Sequence, residues 1–443
     1  MGANYWPKEW QHVKLGDLGE VNRGRSRHRP RYAEHLYGGP YPFIQTGDIK
    51  ASRGKITTYQ QTYSAAGLAQ SRLWPTGTMC ITIAANIAET GILTFPACFP
   101  DSVIGFIPDN LKCDVRFIEY TFRYLKRRIQ HEATGSVQDN INLATLDRLW
   151  FPLPPLPEQK AITHILGTLD DKIELNQQMN QNLEAIARAI FKSWFVDFDP
   201  VRIKMECRQP VGMDAATAAL FPDSFEQLPL GEIPKGWQVV LLPEVAEVID
   251  CLHSKKPSDV GQGKLLLQVW NIADAGKLDL SKKYLISEEE YKMWTSRIEV
   301  QEGDCVITNV GRVGAVAQIP QDVRAAIGRN MTAIRCKPGC LTPTYVVEYL
   351  LSPAMRAEID LNTDSGTILD SLNVKGIEQL RLVIPPTPIM NAFEYKARPL
   401  RRRIELNIEE SNSLIGIRNA LLPKLMLGEI RVKEAEKILE DVA

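Results

Sequence analysis

Residues 158–195 read EQKAITHILGTLDDKIELNQQMNQNLEAIARAIFKSWF, and the fold turns on this stretch. Apolar side chains recur every third or fourth position, at Ile162, Ile165, Leu169, Ile173, Met179, Leu183, Ile186, Ile190 and Trp194, with Asn176 on the same line. That spacing predicts one helix with one apolar stripe. About 38 residues at 1.5 Å each span roughly 57 Å, well beyond an ordinary globular helix. Such a stripe needs a partner, and residues 389–426 supply one with Phe393, Ala397, Leu400, Ile404, Asn407, Ser411, Leu414, Leu421 and Leu425. The two stretches align at an offset of 231, so that DDKIELN at 170–176 falls on RRRIELN at 401–407. The chain is two copies of one plan, and each helix can bury its stripe on the other as an antiparallel coiled coil. Two surface helices, each on its own core, are the plainer alternative.

The rest of the chain repeats in the same order. WQHVKL at 10–15 matches WQVVLL at 237–242, and GTMCIT at 77–82 matches GDCVIT at 303–308, each a glycine turn feeding a β-branched run that reads as a buried strand. FIEY at 117–120 matches VVEY at 346–349, GSVQDNIN at 135–142 matches GTILDSLN at 366–373, and LWFPLPP at 149–155 matches LRLVIPP at 380–386. Each copy is about 150 residues of mixed strand and helix, closed by a Pro-Pro turn that launches the long helix. Two copies at this period are a duplication rather than a solenoid. The expected class is α+β: two pseudo-twofold-related mixed α/β units separated by the two long antiparallel helices, a dumbbell. The expected divisions are 1–152 and 237–386 for the units, 153–196 and 387–428 for the helices, 197–236 for a connector and 429–443 for a charged tail.

The 443 residues suit two or three domains, and 44% hydrophobic with 24% charged residues is ordinary soluble composition. No run approaches 18 uncharged apolar residues and the N-terminus lacks a signal-peptide pattern, so a cytoplasmic protein without a membrane span is expected. Eight scattered cysteines without a C-x-x-C pair suggest buried free thiols; Cys336 and Cys340 bracket Lys-Pro-Gly but lack a second ligand pair for a metal. Net charge is −1, yet residues 1–150 alone carry +5. Much of that comes from Arg23, Arg25, Arg27, Arg29 and Arg31, interleaved with His28, His35, Tyr32 and Tyr37. Alternate arginines among glycine, proline and aromatics suit phosphate and base-edge contact; a solvated loop is the bland alternative.

Motifs for chemistry are missing. There is no phosphate loop, nucleophile elbow, H-E-x-x-H pair or G-x-G-x-x-G fingerprint, and Gly311-Arg-Val-Gly314 lacks the third glycine. The six histidines share no metal-ligand spacing, and neither Pro-Pro pair follows asparagine as in the tetrapeptide with which adenine methyltransferases hold a flipped base. No catalytic residue and no metal site are expected.

Three strings carry a resemblance: PLPPLPEQKAI at 152–162, AIFKSWFVDF at 189–198 and LLPKLMLGEI at 421–430 closely resemble the helical regions of the specificity subunit of type I restriction-modification systems. The likeness covers essentially the whole chain. It implies that each unit is a target recognition domain reading one half of a split, asymmetric DNA site. It also implies that the helices are the spacer and the docking surface for two methyltransferase subunits, with two restriction subunits as possible further partners. S-adenosylmethionine, ATP and magnesium would then belong to the partners, and none to this chain. The second copy departs from the pattern where Ile389-Met390 replaces Glu158-Gln159, which weakens the expectation of a methyltransferase contact there.

Read by position, the candidate DNA contacts of the first unit are Arg23, Arg25, Arg27 and Arg29, with Gln45, Thr46 and Asn86 on later loops. Those of the second are Ser254, Lys255, Lys256, Gln268, Asn271, Asn309 and Arg312. The repeat makes Asn176 and Asn407 equivalent, and a pseudo-twofold axis would bring them together across the helix seam, where a buried amide pair would fix the register. Two other classes stay open. One is a self-contained methyltransferase or nuclease with unrecognised motifs, testable by S-adenosylmethionine binding; the other is a coiled-coil scaffold without nucleic acid, testable by mobility shift.

Overall fold

A computed structural model describes residues 7–28, 30–84, 86–134, 141–228, 231–366 and 369–440. The chain is mixed α/β and falls into two compact units, Met1–Ile173 with Ser413–Ala443, and Glu174–Asn412. Continuous helices run over Leu156–Phe195 and Thr387–Leu427, so each long helix contributes to both units. No described helix is long and apolar enough to cross a membrane.

The duplication survives as topology. In the first unit, strand Gly19–Arg23 pairs with Val103–Pro108, which pairs with Met79–Thr82, then Thr90–Leu93, then Gly54–Ile56 in parallel at the edge. In the second, Ala246–Asp250 pairs with Met331–Cys336, then Cys305–Thr308, then Val316–Gln318, the same order less its edge strand. A two-stranded ribbon closes each unit before its long helix, Gln11–Val13 with Phe151–Leu153 and Gln238–Leu241 with Arg381–Ile384. The copies agree down to single hydrogen bonds in the central hairpin. Thr82 accepts from Ala88 N and donates its own amide to Glu89 O, while Thr308 accepts from Gly314 N and donates to Ala315 O, each at 2.9 Å. Both Ala88 (φ 62°) and Gly314 (φ 76°) turn through the left-handed region there, which glycine adopts without penalty and alanine does not.

Packing along the long helices is antiparallel within each unit. In the first, Ile162, Ile165, Leu166 and Leu169 share a core with Leu421, Leu425 and Met426, and Asp170 meets Arg418 at 2.7 Å while Glu158 meets Arg431 at 3.0 Å. In the second, Phe191, Trp194 and Phe195 cluster around Phe393 with centroids 5.1–6.2 Å apart. As residue numbers rise on one helix, they fall on its partner. Ile186 does not hold the line expected of it. It is 48% exposed while Ala187 is buried, because an apolar repeat at 3.5 residues drifts against a helix of 3.6.

The buried amides sit in this seam, inside the second unit. Asn176 Nδ2 donates to Glu410 Oε2 at 2.8 Å and Ser411 Oγ at 3.3 Å and lies 3.5 Å from Asn407 O; Asn407 Nδ2 donates to Asn180 Oδ1 at 2.8 Å. Asn180 and Ser411 are themselves equivalent at the 231-residue offset. Asn176 to Ser411 and Asn407 to Asn180 are therefore one contact seen twice, as a local twofold relation requires. Among the described residues no group donates to either Oδ1, although both residues are essentially inaccessible.

One pair of equivalents differs in charge. Glu119 and Glu348 occupy the same buried place, and burial pushes both carboxyls above the usual carboxylate range despite an arginine beside each. In the first unit the arginine is Arg123, one turn along the helix Val115–Thr134, which also meets Asp170 at 2.9 Å. In the second, that helix is broken into Pro343–Leu350 and Pro353–Leu361, Ser352 stands where Arg123 would, and the cation comes instead from the long helix as Arg401, 2.9 Å from Glu348. Arg401 aligns with Asp170. The charge on the long helix has reversed to suit what its own unit presents.

Glu158 and Gln159 also acquire a structural account. Gln159 is fully buried and bolts the Pro-Pro turn down, donating to Pro154 O at 2.8 Å and accepting from Asp114 N at 2.9 Å. The substitutes Ile389 and Met390 are buried in the apolar core of the second unit. Hydrogen bonds in one copy have become packing in the other, so the departure reflects how each turn is anchored.

Candidate nucleic-acid interface

Strand order decides which loops meet. Arg23 pairs with Ile104 and Thr82 with Val103, so the segment after Arg23 and the hairpin after Thr82 leave the same end of the first sheet. Asp250 and Ile307 both pair with Thr332, which brings the segment after Asp250 and the hairpin after Thr308 to the same end of the second. Most of the residues singled out from sequence lie on these loops.

In the first unit the arginine run continues the strand. Gly24 and Ser26 are buried while Arg23, Arg25 and Arg27 are exposed, the period-two alternation of an extended chain lying on a surface. The loop is fixed by backbone hydrogen bonds from Gly24 N to Val103 O (2.8 Å) and Arg25 N to Phe99 O (3.1 Å), and by Ser71 Oγ donating to Arg25 O (2.9 Å). A Cβ on Gly24 would stand 2.3 Å from Pro100 O, so only glycine lets the loop lie this close. Arg23 donates to Asp101 O and Arg31 pairs with the Asp101 carboxylate at 2.9 Å, leaving Arg25 and Arg27 without an ion-pair partner among the described residues. Arg29 lies outside the described residues. Asn86, half-buried on the hairpin, accepts from Lys50 at 3.2 Å.

Gln45 and Thr46 start the short helix Thr46–Ala51, whose entry is held by Gln45 N donating to Asp48 Oδ2 at 2.8 Å; the Gln45 side chain donates to Gln61 at 2.6 Å. The second unit repeats the device, with Gln268 N donating to Asn271 Oδ1 at 2.8 Å. Asn271 is thereby a correction to the sequence reading. Its side chain is inaccessible and its amide goes to Asp279 O at 2.7 Å and Lys282 O at 3.0 Å, so it is a scaffold group rather than a base reader. Asn309 is a second correction: it is buried, hydrogen-bonded to Thr332 Oγ1 at 3.0 Å and to Leu372 O at 2.8 Å, and ties the hairpin to the segment before the short helix Val374–Glu378. Gln268 is buried too, its amide 3.1 Å from Leu267 O. All three were singled out as polar residues beyond apolar strands, a pattern that capping and loop-tethering amides share with ligand-binding ones.

Arg312 reaches Ile272 O at 2.7 Å and pairs with the exposed Asp274. Ser254 is half-buried, Lys255 is exposed, and Lys256 lies over the rings of Tyr284 (4.1 Å) and Trp270 (4.8 Å), where burial lowers its ammonium pKa. The reading from sequence passed over Trp270, 47% exposed, and Arg329, exposed on the turn before Met331–Cys336. An isolated tryptophan and an isolated arginine carry no pattern to find them by.

The structure also gathers Asp250, Cys251 and His253 into a cluster whose ligand atoms lie within 4.8 Å of one another. Arg297 stands 3.6 Å from the Asp250 carboxylate and supplies its countercharge, an arrangement that disfavours a metal ion. The eight cysteines are free, and burial pushes Cys98 up to about 11 and Cys336 up to about 12, far from a reactive thiolate.

Comparison with known proteins gives this geometry a context. Residues 7–185 match the model of the type I restriction modification DNA specificity domain. The chain is 26% identical to the type I restriction enzyme MjaIX specificity subunit of Methanocaldococcus jannaschii, over 97% of this chain and 95% of that one. It is 25% identical to the HindI specificity subunit of Haemophilus influenzae, over 68% and 73% respectively. The S subunit of a type I restriction-modification system from M. genitalium shares the fold, with a TM-score of 0.60 at 14% identity over 94% of this chain and 96% of that one. With residues 7–185 matching a specificity domain and a relative aligned along nearly its full length, the chain is similar to the specificity subunits of type I restriction-modification systems.

Proposed function

We propose that the chain selects DNA for its complex by reading a bipartite, asymmetric target, one half-site per recognition unit, and performs no chemistry itself. The observation that carries this is the duplicated sheet. The same strand order delivers corresponding loops to the same end of each sheet, while the side chains on those loops differ, a run of arginines in one and Ser254, Lys255 and Lys256 with a single arginine, Arg312, in the other. Equal scaffolds with unequal tips suit two different half-sites. Fixed loops of arginine, lysine and amides match what major-groove readout and phosphate contact require.

The two long helices act in this proposal as an antiparallel coiled-coil spacer whose length sets the number of unread base pairs, since two readers on a fixed bar must land on the same face of B-DNA. They also dock two methyltransferase subunits, and through them restriction subunits. Leu175 and Leu406, equivalent in the repeat and 50% and 39% exposed, offer two like apolar footholds for two like partners. S-adenosylmethionine, ATP and magnesium belong to those partners.

The test is a mobility shift of the full chain with its methyltransferase subunit on a duplex library. Retention of duplexes sharing two short separated motifs supports the reading. Indifference to sequence refutes it, and S-adenosylmethionine binding by the chain alone would favour an enzyme.

A further inference from the structure

We propose that Trp270 and Arg329 form the reading point of the second recognition unit, Trp270 stacking against a base or thymine methyl while Arg329 contacts an adjacent base edge. This rests on the DNA-reading function above and names the residues that give the second half-site its identity.

The two units solve the same problem with opposite charge placement. Two residues before the strand Val103–Pro108 stands Asp101, which is bound up with Arg23 and Arg31. Two residues before the equivalent strand Met331–Cys336 stands Arg329, exposed and without an ion-pair or hydrogen-bond partner among the described residues. The second unit has no arginine at residues 251–256, where the first has its run. Its free guanidinium has moved to the neighbouring turn at the same sheet end, held to the hairpin by Asn309 N donating to Asn330 O at 2.9 Å.

Trp270 has no counterpart either. The shared cap aligns Gln45 with Gln268 and Asp48 with Asn271, so Trp270 falls on Gly47. Its indole is rigidly presented. Asn271 fixes the turn that carries Trp270 and, through its bond to Lys282 O, the segment that carries Lys282. Lys256 and Lys282 stand 4.8 and 5.4 Å from the indole centroid, and Tyr284 packs edge-on at 6.3 Å. The turn bearing Arg329 adjoins this group, because Gly328 N donates to Leu267 O at 2.9 Å. A half-exposed aromatic ringed by ammonium groups beside an unpaired guanidinium complements a base flanked by phosphates. An acidic protein partner would be drawn by the charges but would gain little from the half-exposed indole.

The experiment uses the full chain assembled with its methyltransferase subunit, measuring methylation on duplexes that carry each single-base change in both half-sites. Trp270→Ala and Arg329→Ala should each weaken discrimination by roughly 5- to 150-fold at one or two adjacent positions of a single half-site, leaving the other half-site as strict as before. Trp270→Phe should retain part of it. Wild-type discrimination at both half-sites in both alanine variants overturns the proposal, as does weakened methyltransferase assembly in which the residual methylation is as discriminating as before, which would make the patch a protein-docking face. Failure of the unaltered chain to discriminate any base is a different result, and it sinks the DNA-reading function itself.

Discussion

Replacing Asn176 and Asn407 together by leucine should make the protein more stable and its spacing less definite. The change removes the amide bonds to Glu410, Ser411 and Asn180, worth about 2–3 kcal/mol together at about 1 kcal/mol each. It also removes two buried carbonyl oxygens that no group among the described residues satisfies, each costing about 1–3 kcal/mol. Burial of two leucine side chains adds about 1.5–3 kcal/mol apiece, against an Asn180 carbonyl newly stranded at about 1–3 kcal/mol. Taken at their midpoints, these terms favour the double variant by about 4 kcal/mol, a rise of several degrees in Tm by calorimetry on the whole chain. Asn407→Leu alone should do worse than Asn176→Leu alone, because only the former orphans Asn180, whereas Ser411 still donates to Asn407 O at 2.7 Å. Without the amides a slipped seam no longer strands a polar group against leucine, so methylation should spread over targets whose gaps differ. A lower Tm would refute the energetics, and an unchanged single gap would refute the register role.

Other outcomes follow from the same reasoning. Arg25→Ala with Arg27→Ala should flatten the dependence of log binding constant on log salt by about 2 if both arginines sit on phosphate, measured by titration at several salt concentrations; an unchanged slope places them off the DNA. Removing either Arg401 or Glu348 leaves an unpaired buried charge and should destabilise by about 3–5 kcal/mol, while replacing both by methionine should be close to neutral in thermal unfolding. Because burial raises the Glu348 carboxyl above its unfolded value near 4.5, the native state binds that proton more tightly, so this group's contribution to stability falls as pH rises through the window above 4.5. Comparing unfolding of the Glu348→Gln variant with the unaltered chain across pH 4.5–6.5 tests the sign.

The large features were legible because period and repetition are written along the chain. The 231-residue offset aligns Asn176 with Asn407 in the sequence itself, and the seam contacts around Asn180 and Ser411 follow that alignment. The drift that turns Ile186 outward accumulates over several turns and is invisible to a count of threes and fours. At the tips, reading by residue type was weakest. Asn271 and Asn309 have the chemistry of base readers yet hold backbone carbonyls, while Trp270 and Arg329 stand singly in loops that no period governs. Where a polar residue sits relative to a loop's own unsatisfied carbonyls is a property of the folded chain alone.

The most direct measurement is base-resolution mapping of methylated adenines in a genome carrying this chain and its methyltransferase. The account predicts two short, dissimilar motifs separated by one constant stretch of unread bases, both altered when the chain is exchanged for another. A contiguous motif, a gap that varies from site to site, or methylation indifferent to which chain is present would contradict it.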